Sequence, residues 1–310
     1  MSVAITGVSG HLGSLIAKHV LRRSPTAVVH GICRNPDKLP ESLRSNERFK
    51  VFQTGHDDAQ KLGEALKGAN IAIFATLADR DTMVNGQKAV IDACIDAGVP
   101  RYMAGDWSLD FRRIKLGDLP PKDPMKHIVE YLQEKEQQTD GKLKGVHVLN
   151  GAFMEIIGRG LYKQKERIIN VWGSGDDKWD LTTYNDAANF SAALALDPGA
   201  TGWYSIRGDR VSANDIATQY EAAFGFKAES VHHGSLDDLY KTMHQVRKQQ
   251  PDNIWAWMGL FYTYYSTNGE GALSDPLSND KYHDMRMTSL KEYFEAAKRP
   301  ERIGTPFEIL

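Results

Sequence analysis

The sequence predicts an α/β fold, a doubly wound parallel sheet with a smaller C-terminal α+β lobe, and three observations predict it. Apolar strand-like runs alternate with helix-like stripes through the first half of the chain. One run, Asn70–Thr76, is apolar nearly throughout, the pattern of a strand covered by helices on both faces. From about Gly151 the alternation gives way to short strands mixed with helices. The sheet domain is expected over 1–150, and 151–310 is expected to form the lobe packed on it.

The elements follow in order. Ser2–Thr6 is the first strand, and Leu12, Leu15, Ile16, His19 and Val20 then mark one face of a helix. Ala27–Cys33 and Phe49–Gln53 are the next strands. Asp58 is expected to cap a helix over Ala59–Leu66. After the 70–76 strand, a helix through Met83, Val90, Ile91 and Cys94 ends at Gly98-Val99-Pro100. The strands Arg101–Ala104 and Gly145–Leu149 are separated by a loop and a helix over Pro124–Gln138. In the lobe, strands are expected at Ile168–Trp172 and Gly202–Ile206, and helices at Asp186–Leu196 and Ser212–Phe224. Asp186 is expected as the N-cap of its helix. The segment Ile254–Tyr265 is dense in aromatic residues, which read first as core and second as walls of a pocket for an aromatic ligand.

Composition narrows the function classes. A net charge of −2 gives no general attraction to nucleic acid or anionic lipid, so neither is expected as a partner. The basic pairs Arg22-Arg23 and Lys298-Arg299 read as solvated helix surface. Cys33 and Cys94 sit in apolar runs without metal-type spacing, as free thiols do in a reducing compartment. No apolar run is long enough to span a bilayer, and the first residues already form the motif strand, so a cytoplasmic protein is expected. His56, His244, His283 and the pair His232-His233 lack ligand spacing, so no metal is expected.

The chemistry-bearing stretch is Val3-Ala4-Ile5-Thr6-Gly7-Val8-Ser9-Gly10-His11-Leu12-Gly13. A strand running into Gly-x-x-Gly-x-x-Gly at the head of a helix is a dinucleotide fingerprint. Gly7 is expected to permit the turn, Gly10 the approach of a phosphate, and Gly13 close packing of helix on strand. Ser9, His11 and Leu12 complete the turn, and the helix N-terminus favours negative charge. An NAD site usually carries an acidic residue at the end of the second strand; here Arg34 stands there, with Lys38 beyond it. A guanidinium pairs with a 2′-phosphate that an acidic group would repel, so NADP(H) is the expected cofactor. Asp37 is expected to cap a short helix. Thr76, closing the fourth strand, is expected to join the cofactor residues.

With these residues the chain resembles the NmrA-like and isoflavone-reductase-like branch of the atypical short-chain dehydrogenases, whose fold is a Rossmann domain with a C-terminal substrate lobe. Thr6-Gly7-x-Ser9-Gly10-x-Leu12-Gly13 and Arg34-Asn35-Pro36-x-Lys38 are similar to its phosphate and NADP signatures. Ala104-Gly105-Asp106-Trp107-Ser108 and Asn150-Gly151-Ala152-Phe153-Met154-Glu155 resemble its segments around the nicotinamide and substrate. The resemblance implies Lys126 as catalytic lysine and cofactor ligand. It also implies Asn150 and Phe153 beside the cofactor, and Trp107, Phe153 and Met154 beside a small, aromatic substrate. Two departures stand out. Ordinary short-chain dehydrogenases use a serine and a Tyr-x-x-x-Lys pair, whereas isoflavone-reductase-like enzymes also work without the tyrosine, using the lysine as acid or base. Gly105 occupies the serine position, and Lys122 stands four residues before Lys126 where the tyrosine would be. Asp106, after the fifth strand, is a second candidate acid or base.

Three functions follow. The first is an NADPH-dependent reductase of a small aromatic or polycyclic metabolite, assisted by Lys126. The second keeps NADP bound but performs an isomerisation, rearrangement or cyclisation by acid–base chemistry. The third is a redox-sensing regulator without catalysis.

Overall fold

In the computed structural model, residues 1–156, 162–163, 168–225 and 227–297 are described; Lys298-Arg299 lies outside them. The main sheet has seven strands: β1 (Ser2–Thr6), β2 (Val28–Cys33), β3 (Phe49–Gln53), β4 (Ile71–Phe74), β5 (Arg101–Met103), β6 (Lys144–Leu149) and, later in the chain, β11 (Gly202–Ser205). Their spatial order is β11-β6-β5-β4-β1-β2-β3. From β3 through to β6 the neighbours pair in parallel, for example Ala4 with His30 on one side and Ala72 on the other. Val3, Ile5, Val29, Ile71 and Ile73 are wholly buried, which is why these strands read as continuous apolar runs. Parallel neighbours need crossover helices, and α1 (His11–Arg23) provides the first, burying Leu15, Ile16 and Val20. This is the expected doubly wound Rossmann architecture.

The chain divides into two compact units: 1–106, 122–148 and 187–204 form the first, and 107–121, 149–186 and 205–310 the second. Residues 187–204 join the first because they carry most of β11, which extends the main sheet beyond β6. The helix Tyr184–Leu196 leads toward that strand. Its last turn is held by Arg101 of β5, whose guanidinium donates to the carbonyls of Leu194, Ala195 and Asp197 at 2.6–3.0 Å. A cation there meets the negative end of the helix dipole, which accounts for an arginine buried in a short strand.

The second unit contains two three-stranded sheets. β7 (Ala152–Phe153), β10 (Trp179–Thr182) and β12 (Asp209–Val211) form one, in the order β12-β10-β7. β8 (Tyr162–Lys163), β9 (Ile168–Trp172) and β13 (Glu229–Gly234) form the other. Ile169, Val171, Leu181, Ile216, Tyr220, Leu290 and Phe294 meet in its core. Two of its buried carboxylates, Asp110 and Asp180, are paired with arginines. Asp110 takes a two-pronged contact from Arg112 at 2.6 and 2.8 Å; burial opposes its ionisation, but the arginine outweighs that and holds the carboxyl below its ordinary range.

Several boundaries move for physical reasons. The fourth strand ends at Phe74, because Ala75 and Thr76 turn out of the pairing, with the Ala75 N–H on the Thr6 carbonyl. Asp186 lies in the first turn of its helix and does not cap it: Thr183 Oγ1 accepts the Asp186 N–H, and the Asp186 carboxylate accepts from the Thr288 N–H. Asn35, not Asp37, caps the short turn Pro36–Lys38, its side chain accepting from the Asp37 N–H. The aromatic segment is a helix, Ile254–Thr267, that buries Trp257, Phe261 and Tyr265 at i, i+4 spacing and leaves Trp255 73% exposed. Among the described residues no helix is long and apolar enough to cross a membrane.

Candidate active site

The main sheet changes its direction of growth between β1 and β4, where open α/β sheets bind ligands outside the carboxyl ends of the strands. The two loops leaving those strands touch. Gly7 has φ +72°, and a Cβ there would lie 2.5 Å from Thr76 Oγ1 and 2.7 Å from the Ala75 carbonyl oxygen. Only glycine satisfies both the left-handed backbone and the contact. Gly13 has a different constraint: its Cβ would press 2.5 Å from the Gly7 carbonyl oxygen, so α1 packs directly on the turn. Gly10 is the N-cap, with no side chain to cap the helix and no acidic residue in the first turn. The first helical hydrogen bond runs from the Ser14 N–H to the Gly10 carbonyl, so the Leu12 and Gly13 N–H groups precede it. The result is an uncapped helix N-terminus beside a turn with no side-chain bulk. The stand-in for bulk is absent in the one place where a diphosphate needs room. Ser9 is half-buried in the same turn, and His11 opens α1 on an exposed side.

Arg34 follows β2 directly and is exposed, as is Lys38. The Arg34 guanidinium forms no ion pair or hydrogen bond among the described residues; only its backbone carbonyl is used, accepting from Gln53 Nε2 at 3.3 Å. The residues present therefore fit NADP(H): a bare glycine turn for the diphosphate and an unengaged cation at the end of β2.

The acid–base end of the first unit lies after β5. Tyr102 is wholly buried, its hydroxyl donating to Gln87 Oε1 at 3.1 Å, so it is core. The same oxygen accepts the Gly105 N–H. A Cβ on Gly105 would lie 3.0 Å from the Phe74 carbonyl oxygen and 3.2 Å from the Phe74 ring, so the fold leaves little space for the serine of ordinary relatives. Asp106 is 2% exposed. One carboxylate oxygen, Oδ2, lies 2.7 Å from Nδ1 of His147 in β6, while Oδ1 is buried without a partner. The His147 ring stacks on Trp203 of β11 at 4.1 Å. Asp106 is thus a strand-to-strand partner of a histidine and does not cap a turn.

Lys122 is the residue that sequence reasoning passed over. It is buried at the head of the helix Asp123–Gln138, and its ammonium donates to the Asp106 carbonyl oxygen at 3.2 Å. Burial pushes its pKa down to about 8, against the opposing pull of the Asp106 charge. Lys126, one turn on, is half-buried beside the core stripe Met125, Ile128 and Leu132. The only sequence signal for Lys122 was its place four residues before Lys126. For His147 it was a single polar residue inside Val146–Leu149.

The second unit holds the remaining candidates. Trp107 and Met154 are buried. Phe153 stacks on Tyr184 with ring centroids 3.8 Å apart. Asn150 has no exposed surface; its backbone is bonded to Ser108 and Thr182, yet neither atom of its side-chain amide has a partner. Leaving such groups unpaired costs about 1–3 kcal/mol each. Glu155, beside it in sequence, accepts the Tyr184 N–H with both oxygens, and burial pushes its pKa up to about 7. Among the described residues no three His, Cys, Asp or Glu groups gather as a metal would require.

Comparison with known proteins adds four findings. Residues 7–141 match the family model described as NAD(P)H-binding. An NmrA-like family domain-containing oxidoreductase of Gibberella moniliformis is 22% identical over 297 residues, covering 87% of this chain and 93% of that protein. Among solved structures, an isoflavone reductase superposes with a TM-score of 0.75 at 20% identity, over 94% of this chain and 98% of the other. The NADPH-dependent quinone oxidoreductase of Escherichia coli, complexed with NADPH, gives 0.69 at 20% identity over the same shares. At these identities the structural likeness speaks for the fold.

Proposed function

We propose that this chain, whose residues 7–141 match an NAD(P)H-binding family model and which is similar to NmrA-like and isoflavone-reductase-like proteins, is a reductase of that branch of the short-chain dehydrogenases that acts on a small aromatic or polycyclic metabolite with the assistance of Lys126. It is an NADP(H)-dependent oxidoreductase. The observation that carries the reading is the uncapped turn Gly7–Gly13 pressed against Thr76, with Arg34 unengaged at the end of β2.

The parts divide the work as follows. The Leu12 and Gly13 N–H groups and the α1 dipole hold the diphosphate, with Ser9 and the backbone of Gly10 and His11 around it. Arg34 pairs with the 2′-phosphate and Lys38 supplements it. Thr76 flanks the turn. When bound, NADPH supplies the hydride at nicotinamide C4. Lys126 binds the ribose side of the cofactor and holds a proton for the oxygen that gains charge as hydride arrives, with Asp106 as the second acid–base candidate. On the family resemblance, Asn150 turns its unpaired amide to the cofactor, Phe153 lies beside it, and Trp107, Phe153 and Met154 line the substrate side. The aromatic substrate is supported by the kind of molecule named for the isoflavone reductase neighbour and by the stacked Phe153–Tyr184 pair.

The test is a single turnover with NADPH deuterated at nicotinamide C4, on either face in turn, against a panel of aromatic enones, quinones and benzylic ethers. Deuterium in the product, with matching loss of NADPH absorbance, is the expected result. A product formed without label and without absorbance change would replace hydride transfer with acid–base rearrangement.

A further inference from the structure

The turn after β5 is held from the side by one buried amide. Gln87 has no exposed surface, and it opens the helix Gln87–Asp96 directly after the π-turn Thr82–Gly86. In a regular α-helix its N–H would bond the Met83 carbonyl. Here the N–H goes to the Val84 carbonyl, and the Met83 carbonyl takes the Gln87 side-chain Nε2 at 2.9 Å instead. That bond fixes which way the amide faces. Its oxygen, Oε1, accepts both the Tyr102 hydroxyl and the Gly105 N–H, each at 3.1 Å. Donor and acceptor are both used; a carboxylate could not donate to Met83, and a thioether could do neither. The Asp106 N–H closes on the Ala104 carbonyl at 2.9 Å, so both N–H groups of the turn are bonded within the protein. The turn also adjoins the cofactor crevice. A Cβ on Gly105 would meet the carbonyl of Phe74 at the end of β4, and the next two residues, Ala75 and Thr76, are those that press on Gly7. Contact therefore runs from the glycine turn through 74–76 to Gly105 and Gln87. The π-turn is fixed on its other side as well, where a Cβ on Gly86 would lie 3.1 Å from the His56 ring.

We propose that Gln87 is a positioning residue for hydride transfer: through the Gly105 N–H it sets the turn after β5 against the end of β4, and so fixes the wall on which the nicotinamide rests. The idea rests on the reductase reading and deepens it, and Lys126 keeps its part in holding the proton. With no exposed surface, Gln87 acts through Gly105 and not by contact with cofactor or substrate. Affinity and rate should therefore separate. The phosphates are held elsewhere, by the glycine turn and Arg34, so most of the binding survives a shift of the Gly105 turn. Hydride transfer does not tolerate such a shift, because a misplacement of about 1 Å costs up to roughly a hundredfold in rate. Tyr102 supplies the internal control. Its hydroxyl shares Gln87 Oε1 with Gly105, but it lies within β5, so Tyr102→Phe removes a buried hydrogen bond without releasing the turn. A purely cohesive role for Gln87 would make the two losses alike.

The test compares Gln87→Met and Tyr102→Phe with wild type at a temperature where all three are folded. If the methionine variant does not fold, Gln87→Asn replaces it, since it keeps a buried amide but falls one methylene short of Gly105. Single-turnover NADPH oxidation by a para-quinone should slow about tenfold or more in Gln87→Met, and less than about twofold in Tyr102→Phe. Affinity for adenosine 2′,5′-bisphosphate, which carries no nicotinamide, should stay within about twofold of wild type in both. A second measurement needs no acceptor: the fluorescence of bound NADPH should change in Gln87→Met and match wild type in Tyr102→Phe. Equal slowing in the two variants, a Gln87→Met rate like that of wild type, or unchanged fluorescence overturns the proposal and leaves the reductase reading intact. Loss of the bisphosphate in Gln87→Met also overturns it, because Gln87 would then support the whole crevice. If wild-type protein binds NADPH but transfers no hydride, the reductase reading fails, and the fluorescence comparison alone decides whether Gln87 sets the nicotinamide wall.

Discussion

The two ends of the first unit are built on opposite principles. At the β1–β4 crevice the site is made by removing side chains: Gly7, Gly10 and Gly13 leave backbone N–H groups and space. After β5 it is made by burying them, with Lys122, Asp106 and His147 withdrawn from water and tied to one another. A backbone site depends on conformation and has no proton to lose. A site of buried charges stores free energy that changes with pH. The comparison teaches where each end is fragile.

Gly7→Val should have the largest effect. The left-handed backbone and the contacts with Thr76 Oγ1 and the Ala75 carbonyl both resist a side chain, so we expect a stability loss of about 3 kcal/mol. NADPH binding should fall below detection. Urea melts and fluorescence titration report the two; a variant as stable as wild type would show that the turn is not strained.

Lys122→Met probes the other end through pH. The folded-state pKa near 8 lies below the ordinary 10.5, so the unfolded chain binds more protons between those values. Wild-type stability should therefore rise as pH increases from about 8 to 10.5, and below pH 8 the full cost, about 3 kcal/mol at most, is present. The methionine variant should lack that rise and be the more stable protein at pH 7. Denaturant midpoints across pH 6–11 decide it, and parallel curves for the two proteins would contradict a buried, perturbed lysine.

Gly105→Ser asks whether the missing hydroxyl is merely absent or actively excluded. With a Cβ 3.0 Å from the Phe74 carbonyl, we expect a loss of about 1–2 kcal/mol and no gain in hydride transfer. A stable, faster variant would mean that the space had been open all along.

How much of this could be read in the sequence follows the same contrast. The glycine turn was legible because backbone geometry restricts residue type: few residues other than glycine tolerate φ +72° against Thr76. Strand β2 and the helix Ala59–Leu66 with its Asp58 cap were legible through periodicity and capping chemistry. Lys122 was not, because a lysine on a helix looks the same in sequence whether solvated or buried, and its burial is decided by elements more than a dozen residues away. The Asp106–His147 pair spans 41 residues, and no local pattern announces it. The chain's return at 187–204 to extend the main sheet was likewise hidden, since an edge strand carries little apolar signature. Acidic residues suit helix starts, yet the N–H groups of Asp186 and Asp37 are taken by a threonine three residues earlier and an asparagine two residues earlier.

The account stands most directly on Arg34, the exposed cation proposed to pair with the 2′-phosphate of NADP(H). Calorimetric titration of wild type and Arg34→Glu with NADPH and with NADH measures its contribution. We predict that wild type binds NADPH at least tenfold more tightly than NADH, and that the variant loses this preference through weakened NADPH binding while NADH changes less than threefold. Equal weakening toward both cofactors would contradict the assignment of Arg34 to the 2′-phosphate.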